Sequence, residues 1–230
     1  MPVRFIPLLA ALLPFVAVQL TYLVAASAEL VPWCNPNIDS CSSISAAGRK
    51  PPASYLFRAT MLPAAVVMMA YWWCNHAWLG HLRRRMGLRS MAVNHWMLVL
   101  GLLACVGLVM YVTVLGERGD AWRTQRRVGT ILFFSFTFLS QLLFLGQLRR
   151  LQPAGIKPGL LRLMWGVCFL LLALGLLTVV LDAWDEDFYT SVEDAFEWNL
   201  SLLVQSNFLR GYLVWRRAGW RVKFVDRAND

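Results

Sequence analysis

Charge is scarce in this sequence of 230 residues, since charged residues make up 15% of it, against about 25% in an ordinary globular domain. Hydrophobic residues make up 58%, where roughly 45–50% is usual. A soluble domain of this size cannot bury so much apolar surface, so the composition excludes an ordinary water-soluble protein and a disordered chain. It is typical of an integral membrane protein.

Known catalytic motifs are also missing. The sequence has no G-x-S-x-G elbow, no S-x-x-K, no H-E-x-x-H and no nucleotide-binding loop. It has no nucleic-acid-binding motif, so we expect no nucleic-acid partner, and nothing in it calls for a cofactor. The three histidines lie near one predicted membrane boundary and the acidic cluster lies near the other, so no metal site is expected. Ligation by His76, His81 and Asn75 is a less favoured alternative to interfacial polar side chains.

Six apolar runs follow one another along the chain, at about 5–28, 56–79, 95–116, 128–148, 160–181 and 196–215. Lipid admits only helices or closed barrels, and the runs lack the two-residue alternation of a barrel strand. The sequence therefore predicts an all-α bundle of six transmembrane helices in a single domain over residues 1–230. The first run also resembles a secretory signal ending in Ala26-Ser27-Ala28. Its length exceeds the usual apolar core of about 7–15 residues, which favours a retained helix.

Orientation follows from the basic residues in the segments between the runs. One set of segments holds 14 Lys and Arg and the other holds 7, while 11 of the 13 acidic residues fall in the second set. Since the basic loops face the cytoplasm, we predict that both termini are cytoplasmic, with a basic tail over 216–230 and a long outer loop over 29–55. The Leu-, Arg- and Trp-rich composition favours a bacterial inner (cytoplasmic) membrane protein.

Cys34 and Cys41 are the only two of the five cysteines outside the predicted spans. Both lie in the long outer loop, where an oxidising exterior favours a disulfide. The alternative is a pair of free thiols. We predict a disulfide between Cys34 and Cys41.

Two further outer segments carry opposite charge. Residues 117–127 are basic and residues 182–187 are acidic, with more carboxylates at 193, 194 and 197. One interpretation is that the two segments pair electrostatically. The other is that unpaired guanidinium groups, such as those of Arg126 and Arg127, hold a lipid phosphate, since arginine suits bidentate phosphate contacts.

The sixth predicted span has a polar face, with Glu197, Ser201 and Gln205 at helical spacing. Such side chains either join helices by hydrogen bonds or line a polar cavity that opens outward. In the second case, Glu197 beside Asp194 is a candidate acid or base.

Several segments resemble the Frag/DRAM/Sfk family of six-helix membrane proteins. They are 43–47 followed by 52–58, Gly129 with 131–134, and Glu197-Trp198 with Asn207-Phe208. Relatives in that family include the Golgi GPI-anchor lipid-remodelling protein and the N-terminal part of Cwh-type proteins. The resemblance spans most of the chain and implies a multi-pass protein concerned with membrane lipids. Gln125 and Arg126 stand where the family pattern has a histidine before the fourth span.

Three functions are consistent with these features, and a transporter is a weaker fourth because the sequence shows no inverted repeat. The first is binding or organising a phospholipid or glycolipid at the extracytoplasmic face, through Arg58, Arg126, Arg127, Trp198 and Asn207. The second is lipid acyl-chain remodelling, by an acyltransferase or hydrolase that uses Glu197 or Asp194. The third is a non-catalytic interaction that stabilises another membrane protein complex. The expected partners are membrane lipids and, in the third case, another membrane protein.

Overall fold

The structure is a computed structural model, and it describes residues 3–220. All regular secondary structure in that range is helical, as the sequence predicted. The helices are α1 (Ile6–Ser27), α2 (Ile44–Ala47), α3 (Ala53–Arg85), α4 (Ala92–Thr113), α5 (Asp120–Leu151), α6 (Pro158–Trp184) and α7 (Glu186–Arg217), preceded by a 3-10 turn at Val3–Phe5. The last part of the predicted basic tail, 221–230, lies outside the described residues.

Six of these helices are long, and each contains most or all of one predicted apolar run. Five of them, α1 and α3 to α6, are long and apolar enough to cross a membrane. Helix α7 falls short because it carries polar side chains such as Gln205 and Asn207, and both are buried against neighbouring helices. Helices α3, α5 and α7 also extend several residues beyond the runs, because helical hydrogen bonding continues where apolar composition stops.

The bundle has two chemically different ends. We call one the disulfide end; it comprises the loop 28–52, the connection 114–119 and the turn at Asp185. The opposite, arginine-rich end comprises the connections 86–91 and 152–157 and residues 218–220. Helix α7 illustrates this polarity, with Glu186 and Asp187 in its first turn and Arg216 and Arg217 in its last. This charge order is favourable for the helix dipole.

Helices α4 and α5 form a close antiparallel hairpin. A Cβ added at Gly129 would lie 2.6 Å from the backbone oxygen of Gly107, and one added at Gly107 would lie 2.8 Å from the backbone oxygen of Gly129. Small residues let helix backbones approach each other in this way inside membranes. The contact fixes the start of α5, which matters for the site described below.

An aromatic cluster forms the core toward the arginine-rich end. The Tyr71 ring lies 5.0 Å from Phe208 and 5.7 Å from Trp215, so that α3 and α7 interlock. The Trp215 indole donates to the Asn75 side-chain oxygen at 2.9 Å. All these side chains except Asn75 are large and apolar, and all are fully or almost fully buried.

Helix α6 packs differently along its length. Its buried residues are Leu160, Met164, Val167, Cys168 and Leu171. From residue 172 to Trp184 no α6 residue is fully buried, so the half of the helix nearest the disulfide end packs more loosely on the bundle. This looser packing leaves a gap between α6 and its neighbours.

The loop 28–52 is held against the bundle. Cys34 and Cys41 form a disulfide with their Cα atoms 6.6 Å apart. The Trp198 indole donates to the Ser42 carbonyl at 2.9 Å, and the Asn199 amide donates to the Asn37 carbonyl at 2.9 Å. The loop is thereby fixed to α7 and contributes to the disulfide end as an ordered element.

Candidate functional site

A cavity of about 850 Å³ opens at the disulfide end, between α2, α5, α6 and α7. We call it the polar cavity. Its charged lining comprises Arg49, Arg123, Arg126, Arg127, Glu193, Asp194 and Glu197. It is larger than the other two cavities described below.

The basic wall of the polar cavity comes mostly from α5. The helix begins after Gly119, whose φ of 117° lies in the region that favours glycine. Arg123, Arg126 and Arg127 then occupy its first two turns at spacings of three and four residues, which places them on one side of the helix. The Arg126 guanidinium also donates to the Glu117 carbonyl at 2.8 Å, so the tip of this side chain is held in place.

The acidic wall comes from α7. The Asp185 side chain caps this helix by accepting a hydrogen bond from the Phe188 amide at 2.9 Å. Glu193 and Glu197 lie one turn apart and Asp194 lies beside them, so three carboxylates share one region of the wall. Burial and the neighbouring Glu193 carboxylate raise the pKa of Asp194.

The short helix α2 supports Glu197 from the loop side. The Ser43 side chain caps α2 by accepting a hydrogen bond from the Ala46 amide at 2.9 Å. The backbone amides of Ile44 and Ser45 lie against the half-buried Glu197 carboxylate. The loop 28–52 therefore helps to fix the position of one carboxylate of the acidic wall.

Tyr111 of α4 lies between the two walls. Its hydroxyl is buried and has no hydrogen-bond partner among the residues that the structure describes. Glu197, Arg49 and Arg126 line the same cavity and are near enough to act electrostatically on this hydroxyl. A buried hydroxyl without a partner is unusual in a native protein and is available to a ligand atom.

An apolar groove continues from the polar cavity toward the middle of the bundle. The groove has a volume of about 190 Å³ and lies between α5, α6 and α7, where α6 packs more loosely. Phe134, Ser135 and Leu200 line both the groove and the polar cavity, so the two are contiguous. The remaining lining of the groove is Phe138, Leu171, Leu172, Gly175, Leu176 and Val204.

The structure brings together some of the candidate residues from the sequence and separates others. Arg126, Arg127, Asp194 and Glu197 all line the polar cavity. Arg58 is not part of its lining, and its guanidinium instead donates to the Leu115 carbonyl just beyond the end of α4.

Trp198 and Asn207 also lie away from the polar cavity. Trp198 is 1% exposed, and its indole is engaged with the Ser42 carbonyl. Asn207 lies deeper in the bundle, where its amide donates to the Gln141 side-chain oxygen at 3.1 Å. Trp198 therefore links α7 to the loop 28–52, and Asn207 links α7 to α5.

The interpretation that the two charged outer segments pair with each other is wrong for the described residues. The only ion pair within 4.0 Å there joins Arg123 to Asp120 of the same helix, at 3.7 Å. The basic and acidic groups instead occupy opposite walls, because α5 and α7 are held apart at this end of the bundle.

Sequence reasoning missed Arg49, Arg123, Tyr111 and Glu193 as parts of the site. The spacing of Arg123 from Arg126 and Arg127 was a usable signal, since residues three and four apart share a helix face. Arg49 and Tyr111 come from other elements and gave no local signal. Within residues 3–220, no group of three His, Cys, Asp or Glu side chains is placed to hold a metal ion.

Comparison with known proteins gives one match. The family model described as the Frag1/DRAM/Sfk1/Cwh43P N-terminal domain matches residues 2–209. No curated protein and no solved structure matches the chain.

Proposed function

The chain belongs to the Frag1/DRAM/Sfk1/Cwh43P N-terminal domain family, and from that premise we propose that it binds a membrane lipid at the disulfide end. The polar cavity takes the headgroup of a phospholipid or glycolipid, and the apolar groove takes part of one acyl chain. The observation that carries this proposal is the continuity of the two, through the shared lining residues Phe134, Ser135 and Leu200.

The proposal includes a topology. All six long helices cross the membrane, with α7 as the sixth span over about residues 196–215. The arginine-rich end and both termini face the cytoplasm, and the disulfide end is extracytoplasmic, in a bacterial inner membrane. The basic connections at one end and the disulfide at the other support this orientation.

The shape of the site matches an amphiphile better than a water-soluble ligand. A soluble ligand needs no apolar extension, whereas a lipid presents its headgroup and chain at adjacent depths. The groove lies where α6 packs loosely on the bundle, so a lipid can enter sideways from the bilayer. Since an acyl chain is already in an apolar environment, entering the groove yields little hydrophobic gain, and the headgroup contacts decide which lipid is held.

Arg127 is the most informative residue for a test, because its side chain lines the polar cavity and has no hydrogen bond to another described residue. The full-length chain is purified in mild detergent, and the lipids that remain bound are measured by mass spectrometry per mole of protein. We expect Arg127→Gln to lower the retained phospholipid about fivefold, since one charge-assisted phosphate contact is lost.

The matched control is Arg118→Gln, which removes an exposed arginine at the same end, outside the polar cavity. Retention in this variant is expected to equal that of the wild type. A wild-type protein that retains no lipid above the level of an unrelated membrane protein contradicts the proposed function.

One observation favours lipid remodelling as a second candidate. Glu197 lines both the polar cavity and a separate small void of about 40 Å³ below it, whose other lining includes Tyr111 and Ser201. A carboxylate at the level where headgroup meets chain is positioned beside the ester bonds of a bound lipid. This enzyme would use Glu197 as acid or base.

Glu197→Gln separates this enzyme from a binding protein, because the amide keeps the size of the side chain and removes its acid–base chemistry. The wild type and the variant are incubated with a phospholipid that carries an isotope-labelled acyl chain and with an unlabelled lysophospholipid as acyl acceptor. Chains released to water or transferred to the acceptor are measured by mass spectrometry. An enzyme releases or exchanges chains only in the wild type. Unchanged lipid in both samples supports binding alone.

A further inference from the structure

The two charged walls of the polar cavity face each other without pairing. Four guanidinium groups and three carboxylates line the same space. No nitrogen–oxygen distance of 4.0 Å or less joins one wall to the other in the described part of the chain. Opposite charges that are this numerous and remain apart leave the cavity with a strong internal dipole.

Such a cavity discriminates by the charge distribution of the ligand. A purely anionic headgroup gains contacts with the arginines but is repelled by the carboxylates of Glu193, Asp194 and Glu197. A purely cationic group meets the reverse situation. A headgroup with a phosphate at one end and a cation at the other satisfies both walls at once.

We propose that the ligand is a phospholipid with a phosphoethanolamine headgroup, a deepening that rests on the proposed function. Its phosphate lies toward Arg123, Arg126 and Arg127, and its ammonium group lies toward Glu193, Asp194 and Glu197. The unpartnered hydroxyl of Tyr111 lies between the walls and donates to an oxygen of the headgroup.

The chemistry of the acidic wall selects ethanolamine over choline. A primary ammonium group has three N–H donors for carboxylate oxygens, whereas a trimethylammonium group has none. Sites for quaternary ammonium groups use the faces of several aromatic rings. The polar cavity offers three carboxylates concentrated on one helix, whereas its aromatic lining (Tyr111, Phe134, Tyr189 and Phe196) is spread over α4, α5 and α7.

The test loads the full-length, delipidated protein in detergent with an equimolar mixture of three phospholipids. They carry phosphoethanolamine, phosphocholine or phosphoglycerol headgroups on identical acyl chains, and bound lipid is counted by native mass spectrometry. We expect the phosphoethanolamine lipid to be retained about fivefold over each of the others.

The chain provides a matched pair of variants. The double substitution Glu193→Gln with Asp194→Asn neutralises two carboxylates of the acidic wall. Glu186→Gln with Asp187→Asn makes the same two changes seven residues earlier in α7, at exposed positions outside the cavity. We expect the first variant to lose the preference for phosphoethanolamine over phosphoglycerol and the second to keep it.

The outcomes separate the two claims. Lipid retained without preference, or a preference for phosphoglycerol or for phosphocholine, overturns the headgroup assignment and leaves lipid binding intact. Retention of no lipid at all overturns the proposed function as well. A preference that survives neutralisation of the acidic wall shows that the carboxylates do not read the headgroup and also overturns the assignment.

Discussion

The α4–α5 hairpin and the second half of α6 are opposite extremes of packing in one bundle. At Gly107 and Gly129 the backbones of α4 and α5 are so close that neither position has room for a Cβ atom. At Gly175 in α6, a Cβ atom would have no heavy atom within 4 Å. The site therefore combines a tightly packed side, formed by the α4–α5 hairpin, with a loosely packed side, formed by the second half of α6.

The two regions have different roles in the proposed lipid site. Gly129 follows Arg126 and Arg127 within one turn, so the tight contact holds the arginines where the headgroup is expected. All the fully buried residues of α6 lie in its first half, which leaves the side of the apolar groove open. A lipid site needs fixed polar contacts and also a route from the bilayer, and the two regions supply one each.

The largest expected effect comes from disrupting the close contact in the α4–α5 hairpin. In Gly129→Ala, the new Cβ atom meets the Gly107 carbonyl at 2.6 Å and the Tyr111 amide nitrogen at 2.8 Å, and both are backbone atoms. The helices must separate, at a cost of about 2–3 kcal/mol in the free energy of unfolding. Circular dichroism in detergent is expected to show a melting temperature lower by roughly 5–10 °C.

Gly146→Ala is the matched control, because Gly146 lies in the same helix and a Cβ atom there has nothing within 4 Å. Its melting temperature is expected to equal or slightly exceed that of the wild type. Equal losses in the two variants would mean that the close contact does not stabilise the hairpin.

The next largest effect is expected from detaching the loop 28–52 from α7. Trp198→Phe keeps an aromatic ring but removes the indole donor to the buried Ser42 carbonyl. An unsatisfied buried carbonyl costs about 1–2 kcal/mol, and thermal unfolding followed by circular dichroism measures the loss. Trp184→Phe, at a side chain that is 86% exposed, is the control and is expected to change little.

The loosely packed half of α6 is probed by filling the apolar groove beside it. Gly175→Leu places a side chain in the apolar groove, where the backbone leaves room, and is expected to lower retained lipid about fivefold with little change in melting temperature. Gly166→Leu makes the same change in the same helix, away from the groove, and also has nothing within 4 Å of a Cβ atom. Quantitative lipid mass spectrometry on both variants distinguishes a filled groove from a general disturbance of α6.

The smallest expected effect is on the pH dependence of stability. Because the pKa of Asp194 is raised above its ordinary value of 3.8, the folded state binds this proton more tightly than the unfolded state. The contribution of Asp194 to the free energy of unfolding is therefore full at low pH and falls as the pH rises from about 4 toward neutrality.

Asp194→Asn cannot titrate, so its melting temperature is expected to decline less than that of the wild type over this pH range. Asp187→Asn, at an exposed position of α7, controls for the loss of one negative charge. A wild-type slope in Asp194→Asn would show that this carboxyl group is not desolvated in the folded protein.

The sequence was sufficient to predict the helices and the disulfide, but not the contacts between helices. Long apolar runs predicted the long helices, and two cysteines in one outer loop predicted their disulfide. From the sequence, Trp198 was a candidate headgroup ligand. Its partner Ser42 lies 156 residues away in the sequence, so no local pattern could reveal that the indole is already engaged.

The same limit applies to the walls of the site. The arginine spacing in α5 was visible, but the approach of Gly107 to Gly129 and the position of Tyr111 between opposite charges depend on how four helices pack. The looser packing of α6 toward the disulfide end was invisible for another reason. Its apolar composition is uniform along the span, so it does not show which half packs against protein.

The most direct test of lateral lipid entry uses a phosphoethanolamine phospholipid with a photoreactive diazirine in its acyl chain. The full-length protein in bilayer nanodiscs is irradiated, and labelled residues are mapped by mass spectrometry. The account predicts labelling of Phe138 and Val204 in the apolar groove, which Gly175→Leu abolishes. Labelling confined to outward-facing positions such as Phe169, which is 73% exposed, would contradict it.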